Sequence, residues 1–424
     1  MFYQQLSPFI HVLAKPSERK KFEIEVTYSS GGSWFEKNLD RGKKHLLEHC
    51  IASRTKELNF QGFHDFQFAS NIMVNAYTSP LTMGVNAQGH TENAQDMIAK
   101  IMEISIRPTF DTEILAQEKE IVLREISERR GDPNYRLHYA VMNQVFEINS
   151  LENHEVLGDS ECVAQTIIED FERLHRENLA KSHFLITLSG GFGFDEALDN
   201  IKKNFNLHKA EKSLINQVEG KDKINFSVKS EFQNFDFLPI VHELAHAHAD
   251  VTIYIPLEIS FENKPILKIF DELFLKYYGI LYDRLRNKEG LIYSMSNNFD
   301  MTLGKMIINF SCEIDSANRI LDIISDTFSN FEKFFEEKKF EDLKQTIRKK
   351  IEISSDTISA ETEFAQSSLL NYGISENLEN YLQRLTKVTI AEVKKIYQDV
   401  QKSLLEKKVV IVSNKAEINK IKIN

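Results

Sequence analysis

The sequence predicts an α+β protein of two homologous domains, each a mixed or antiparallel β-sheet packed with helices. Three observations carry that expectation. One order of strand-like and helix-like segments runs twice along the 424 residues. The two runs are of near-equal length, the signature of a duplicated unit. Between them, from about 208 to 224, lies a polar, charged stretch with little to bury ("HKAEKSLINQVEGKDK"). The boundaries that follow are 1–210 for the first domain, 211–224 for a linker and 225–424 for the second domain.

In the first half, runs rich in β-branched and aromatic residues predict strands at 8–14, 22–29, 69–78 and 81–88. A helix follows from about 92 to 105. The clearest helix covers 111–130, started by Asp111-Thr112 and stopped at Gly131 before Pro133. Helices are expected at 134–147 and 165–179, then the strand "SHFLITLSG" and a helix from Asp195. In the second half the order returns: a strand at 250–257, a long helix at 264–286, strands at 291–299 and 304–313, and helices to about 403. The closing strand "KKVVIVS" mirrors "HFLITLSG".

The composition is that of a globular chain, with 42% hydrophobic and 27% charged residues. A formal net charge of −11 gives no general electrostatic case for nucleic acid or an anionic membrane. No apolar run approaches the roughly eighteen residues a bilayer span needs, and the N-terminus lacks a basic-then-apolar leader. Cys50, Cys162 and Cys312 are scattered and odd in number, which is neither a disulfide framework nor a cysteine metal site. A cytoplasmic, reduced protein is the expectation.

The segment "GKKHLLEHC" reads as helix. His45 and His49 are four apart, so both imidazoles leave one face about one turn from each other. That spacing lets two ring nitrogens meet one tetrahedral zinc. Glu48 shares the face and is placed to take a proton from a metal-activated water rather than to ligate. The order His-x-x-Glu-His is the inverted zincin pattern. A partly buried helix with two satisfied histidines and a surface glutamate is the plainer alternative. In "DTEILAQEKEIVLREISERR", Ile114, Glu118, Ile121 and Glu125 form one stripe flanked by Leu115, Val122 and Ile126. Two carboxylates drawn toward a core need a cation or hydrogen bonds. Solvent, or pairing with Lys119 and Arg124, would also serve them.

With these residues in view, the sequence resembles the pitrilysin/insulysin zinc peptidases, a family that includes the mitochondrial processing peptidases. Its members carry His-x-x-Glu-His, a glutamate ligand 76 residues beyond the second histidine and another glutamate seven before that. Here 125 − 49 = 76 and 125 − 118 = 7. The resemblance implies one Zn2+ per chain held by His45, His49 and Glu125, with Glu118 orienting the site. It extends to "EVTYSSGGSWFEKNLDRGKKHLLEH" and to "NIMVNAYTSPLTMGV", which implies that Asn75, Ala76, Tyr77, Thr78 and Ser79 lie along bound peptide backbone. "ENHEVLGDSECV" and "DFERLHRENLAKSHFLITLSG" extend it to the end of the first domain. In the second half "RLRNKEGLIYSMS" implies that Arg286 and Tyr293 contact the substrate backbone and the developing oxyanion. Two lysines before His45, Cys50 after the motif and the long "SGGFGF" depart from the family's habit and bear on substrate preference.

A competing motif is "HELAHAH", where His242, Glu243 and His246 fit the ordinary His-Glu-x-x-His pattern, with His248 beyond. That pattern requires a helix. Pro239 upstream and the strand-like "ADVTIYIPLEIS" downstream leave no room for one, and the resemblance makes the stretch the first strand of the second domain.

The activity implied is zinc-dependent endopeptidase cleavage of unfolded peptides, with Glu48 as general base and the peptide added as a strand beside Asn75–Ser79. A chain of this length resembles half of the family's clam-shaped peptidase chamber, which implies a second chain, identical or related. The alternative is a non-catalytic peptide-binding or scaffolding subunit.

Overall fold

The computed structural model describes residues 1–206, 230–277, 279–330 and 338–421. The linker expected at 211–224 lies outside the described residues. Contacts divide the chain into two units. Unit 1 holds Met1–Arg130, His154–Phe226 and Ser355–Leu378; unit 2 holds Gly131–Asn153, Ser227–Ser354 and Glu379–Asn424. This division differs from a single cut near 211–224 by two exchanged segments, 131–153 and 355–378.

In unit 1 the strands are β1 (Phe2–Ser7), β2 (Ile10–Pro16), β3 (Lys21–Tyr28), β4 (Met73–Thr78), β5 (Met83–His90) and β6 (Phe184–Gly190). They form one sheet in the order β1-β2-β6-β3-β5-β4, with β2 and β6 parallel and the other pairs antiparallel. Its helices are α1 (Lys43–Ile51), α2 (Phe60–Ala69), α3 (Ala94–Ile106), α4 (Thr112–Gly131), which ends at the unit boundary, α6 (Ser160–Ala164), α7 (Ile168–Lys181) and α8 (Phe194–Asn206). The chain passes through α5 (Pro133–Val145) between α4 and α6, but that helix belongs to unit 2.

Unit 2 has strands β7 (Phe237–Val241), β8 (Ala249–Pro256), β9 (Ile292–Asp300), β10 (Lys305–Cys312) and β11 (Lys408–Ser413), ordered β7-β11-β8-β10-β9. Removing β1 from the first sheet leaves the same pattern: first strand, last, second, fourth, third, with the first and last parallel. The duplication read from element order is thus repeated in strand topology. Its helices in the second half are α9 (Lys264–Phe270), α10 (Ala317–Ser329), α11 (Lys338–Ser354), α13 (Leu378–Lys387), which starts at the unit boundary, and α14 (Ile390–Ser403), while α12 (Ala360–Tyr372) belongs to unit 1.

Strand β6 explains why 355–378 joins unit 1. All seven of its residues are buried, as expected of a strand covered on both faces. Phe184, Ile186 and Leu188 enter the main core beneath the helices of unit 1. Leu185 and Ser189 point the other way, where Leu185 packs on Leu369 and Ser189 Oγ lies 2.7 Å from Thr362 Oγ1, both on α12. A strand that apolar needs a cover on each side, and the chain supplies the second from far downstream. For unit 2, Val141 and Val145 of α5, with Phe146, pack on Ile240, Tyr254 and Val410.

Three elements differ from expectation. The strand expected at 69–78 begins only at Met73, because α2 occupies Phe60–Ala69 with the Asn59 side chain accepting from Gly62 N at 2.9 Å as its N-cap. The aromatic-rich "FQGFHDFQFA" carries helix capping under a strand-like composition. The long helix expected at 264–286 stops at Phe270 and continues as short π-helical turns, Asp271–Leu275 and Asp283–Lys288. Between them Gly279 lies so close to Phe274 that an added Cβ would sit 2.6 Å from its carbonyl carbon. The third difference concerns the histidine-rich stretch, described with the site.

Among the described residues no helix is long and apolar enough to cross a membrane.

Candidate metal centre

Helix α1 is fixed at its N-terminus before it presents any chemistry. Gly42 precedes it with φ +90°, a conformation that favours glycine. A Cβ there would come within 2.5 Å of Leu157 O. Glu36 then accepts from Gly42 N at 2.9 Å through one oxygen and from Lys44 N at 2.6 Å through the other. These amides stand at the open end of the helix, where no intrahelical acceptor exists.

The two lysines before His45, unusual by family habit, are both buried. Lys43 Nζ pairs with Asp170 at 3.0 Å and Asp40 at 3.4 Å. Lys44 Nζ donates to Ser30 O and Gly32 O at 3.3 and 3.0 Å. They bolt α1 to its surroundings. Replacing Glu36 with Ala should cost about 1–3 kcal/mol of stability, since two amides lose their acceptor while relief of a buried carboxylate offsets part of the loss. Zinc affinity should fall with it, because α1 carries both histidines; urea unfolding and a competition titration against a zinc chelator measure the two effects.

Helix α4 supplies the rest. Ile114, Leu115, Val122 and Ile126 are buried as the stripe predicts. Asp111 caps it, accepting from Glu113 N at 2.8 Å and from Arg54 Nη1 at 2.7 Å, which ties α4 to the segment just after α1. Lys119 donates to Ala164 O and Arg124 to Glu120 O. Glu118 instead meets His49, with Oε2 2.9 Å from Nδ1. Glu125 Oε2 lies 3.8 Å from His45 Nε2 and 3.7 Å from His49 Nε2. Ligand atoms of His45, His49 and Glu125 all fall within 4.8 Å of one another, the one such group of three among the described residues.

These donors fit a zinc ion. Bonds of about 2.05 Å at tetrahedral angles put ligand atoms about 3.4 Å apart, so the two separations from Glu125 Oε2, 3.8 and 3.7 Å, need adjustment of only a few tenths of an ångström. Burial, and then the neighbouring His49, pushes His45 down to about 4, which keeps its ring neutral as a ligand must be. His45 Nδ1 is buried and has no hydrogen-bond partner among the described residues. On His49 the contact to Glu118 assigns Nδ1 the proton and turns the Nε2 lone pair toward Glu125.

Burial pushes Glu48 up to about 7, with the Glu125 carboxylate adding to the rise; His49 and the Thr78 hydroxyl and N–H oppose it. A divalent cation beside it would favour the ionised form. The Thr78 contact is a part of the site that sequence reasoning missed, as is Glu36. A lone glutamate in a turn carries no periodicity, so Glu36 gave no signal.

Of the five residues expected along a substrate, Asn75 to Thr78 lie on β4, the edge strand of the sheet, and Ser79 falls just past it in a turn with Thr82. The Tyr77 side chain turns away from the edge to Glu25 at 2.7 Å and Thr27 at 3.1 Å. Arg286 and Tyr293 belong to unit 2. Arg286 Nη1 donates to Ile292 O at 2.5 Å. Tyr293 lies on edge strand β9, 53% exposed, and its hydroxyl donates to Glu313.

The stretch from His242 to His248 is neither helix nor strand: the strand is β7, ending at Val241, and the histidines follow in the turn that leads to β8. This corrects the expectation of a histidine-lined strand. Pro239 is tolerated because β7 is an edge strand. The His242 N–H donates to Ser413 O and its Nδ1 accepts from Leu244 N, so its backbone and ring hold the turn. His242→Ala and His246→Ala should therefore leave zinc content near wild type by metal analysis; loss of zinc in either, with zinc kept in His45→Ala, overturns the assignment.

Residues 18–159 match the family model described as Insulinase (Peptidase family M16), and residues 166–349 the one described as Peptidase M16 inactive domain. The chain belongs to the insulinase-like peptidase family M16, in its two-domain, half-length form. An "Uncharacterized zinc protease" of Rickettsia bellii is 20% identical over 85% of this chain and 85% of its own. The "Probable mitochondrial-processing peptidase subunit beta" of Arabidopsis thaliana is 22% identical, over 49% of this chain and 39% of that one. The "Non-peptidase homolog YmxG" of Helicobacter pylori is 22% identical over 43% and 42%. This chain thus spans well under two thirds of the length of some relatives and most of another. In structure it is similar to a protease from Helicobacter pylori, with TM-score 0.74, 15% identity and coverage of 97% and 98%. That likeness shows the fold.

Proposed function

We propose that the chain is a zinc-dependent endopeptidase acting on unfolded peptides. The observation that carries this reading is the convergence of His45 Nε2, His49 Nε2 and Glu125 Oε2 beside the half-buried Glu48. A zinc ion held there would supply the Lewis acidity that makes water nucleophilic near neutral pH and polarises the scissile carbonyl. Glu48 accepts the proton of the attacking water and delivers it to the leaving amine. Glu118 keeps the His49 ring and tautomer fixed.

The peptide is held as an added strand. The Thr78 N–H turns outward to Glu48, and by the two-residue alternation of a strand the backbone groups of Ala76 and Val74 face the same free edge. Backbone pairing at that edge brings an extended peptide past the base with little demand on its side chains. Arg286 and Tyr293 act on the peptide backbone and oxyanion in this reading, a part that rests on the resemblance and on the exposure of Tyr293. The mitochondrial relatives supply the precedent, in their names, for a paired subunit, and we extend it to a second chain of this or a related kind.

A second reading, a peptide-binding subunit without turnover, is favoured by the match to an inactive-domain model and by the non-peptidase relative. Retention of His45, Glu48, His49 and Glu125 together weighs against it. Zinc analysis with cleavage of a quenched, unfolded peptide decides: about one zinc per chain and turnover abolished by chelation support the peptidase, while tight peptide binding with no turnover in the zinc-replete protein supports the second reading.

A further inference from the structure

A cavity of about 830 Å³ opens where β4 begins, away from the metal centre. Lys20, Lys21, His64, Phe68, Met73 and His90 are among its lining. Three features set it apart from a surface hollow. First, it continues an edge already assigned to peptide. Thr78, at one end of β4, contacts Glu48, and Met73, at the other, lines the cavity. Five strand residues at about 3.3 Å each separate them by roughly 16 Å. A peptide paired along β4 in either direction therefore reaches the cavity about five to seven residues from the bond at Glu48.

Second, its charge runs against that of the chain. The protein carries 63 acidic against 52 basic residues, yet none of the described residues that line the cavity is acidic. Two lysines and two histidines face it instead. Lys21 is paired with Glu23, and His90 lies 3.7 Å from Glu92, but both carboxylates stand outside the lining. Third, the mouth is apolar: Phe68 and Met73 are 85% and 62% exposed. Large apolar groups left in water beside cationic ones make a surface that gains from being covered.

We infer that this cavity is a distal subsite for an acidic side chain of the peptide that lies along β4. The inference rests on the strand-addition reading above and adds a specificity to it. Backbone pairing alone is indifferent to sequence, whereas a cationic pocket at a fixed distance along the strand selects a carboxylate at a fixed distance from the cleavage site.

The test uses one extended quenched peptide carrying Asp, Gln or Lys at single positions three to eight residues on either side of the cleaved bond. The full chain, loaded with zinc, should cleave the Asp peptide with a kcat/KM about tenfold above the Lys peptide when the residue lies five to seven positions away on one side. No such preference should appear at three positions. The double variant Lys20→Glu, Lys21→Glu should invert the ratio, and high salt should flatten it, as for a surface charge contact. The same peptides are titrated by fluorescence anisotropy onto zinc-loaded Glu48→Gln protein, which reads selectivity without turnover. Cleavage with no positional preference, or a preference that the double variant leaves unchanged, overturns the subsite and leaves the peptidase standing. Selective binding without cleavage by the wild type supports the subsite and overturns the peptidase. Absence of both binding and cleavage overturns both.

Discussion

Replacing Glu48 with Gln is expected to cut peptide cleavage by roughly a hundredfold to ten-thousandfold, the range typical of a lost general acid–base. At 1.36 kcal/mol per tenfold this is about 3–5 kcal/mol of transition-state stabilisation. The substitution keeps size and leaves an oxygen for the Thr78 hydroxyl and N–H that now meet the carboxylate, so the fold and α1 should be undisturbed. Zinc content should stay near one per chain, because Glu48 is not among the three convergent donors. The loss should fall on kcat and kcat/KM alike, since proton transfer is absent from the ground state. Metal analysis and steady-state kinetics on the same preparation check both halves. Turnover retained in Glu48→Gln would remove the base from the proposal, and zinc lost with it would make Glu48 a structural or ligating residue instead.

Much of this site was legible because helices turn spacing into geometry. His45 and His49 share a face by their interval of four, and their ring centroids stand 4.9 Å apart. Glu118 and Glu125 are seven apart, and both meet the histidines of α1. The duplicated element order was legible for a similar reason: strand-like and helix-like runs succeed one another alike in the two halves, although β7 gave no such run. What stayed hidden depended on contacts far apart in sequence. Helix α12 covers β6 across some 170 residues, and only the two-sided burial of β6 required such a partner. The short edge strands β1 and β7 present few alternating positions, so their patterns were too brief to read. The burial of Lys43 and Lys44 stayed hidden for the same reason, because Asp170 and the Ser30 and Gly32 carbonyls that meet them are distant in sequence.

Removing a metal donor should have the other large effect, and the order of loss separates donors from their supports. His45→Ala, His49→Ala and Glu125→Ala each leave two of three protein donors, and each should empty the site on dialysis against a mild chelator. Glu118→Ala keeps all three donors. It removes the carboxylate 2.9 Å from His49 Nδ1, so the ring loses the contact that fixes its tautomer and orientation. Loss of such an outer partner typically costs ten- to hundredfold in metal affinity, and Glu118→Ala should sit between wild type and Glu125→Ala in a competition titration. A second readout needs no catalysis. Metal that binds only the folded protein stabilises it by about 2.7 kcal/mol when present at a hundred times its dissociation constant. Stripping zinc should therefore lower the Tm of wild type clearly, that of Glu118→Ala as well when zinc is in large excess, and that of Glu125→Ala hardly at all. Glu125 is the more exposed of the two carboxylates, with its side chain 40% accessible against 22% for Glu118, so its replacement should leave the fold in place. If Glu118→Ala loses zinc completely while Glu125→Ala retains it, the two glutamates have exchanged roles and the metal sits about two turns nearer the start of α4.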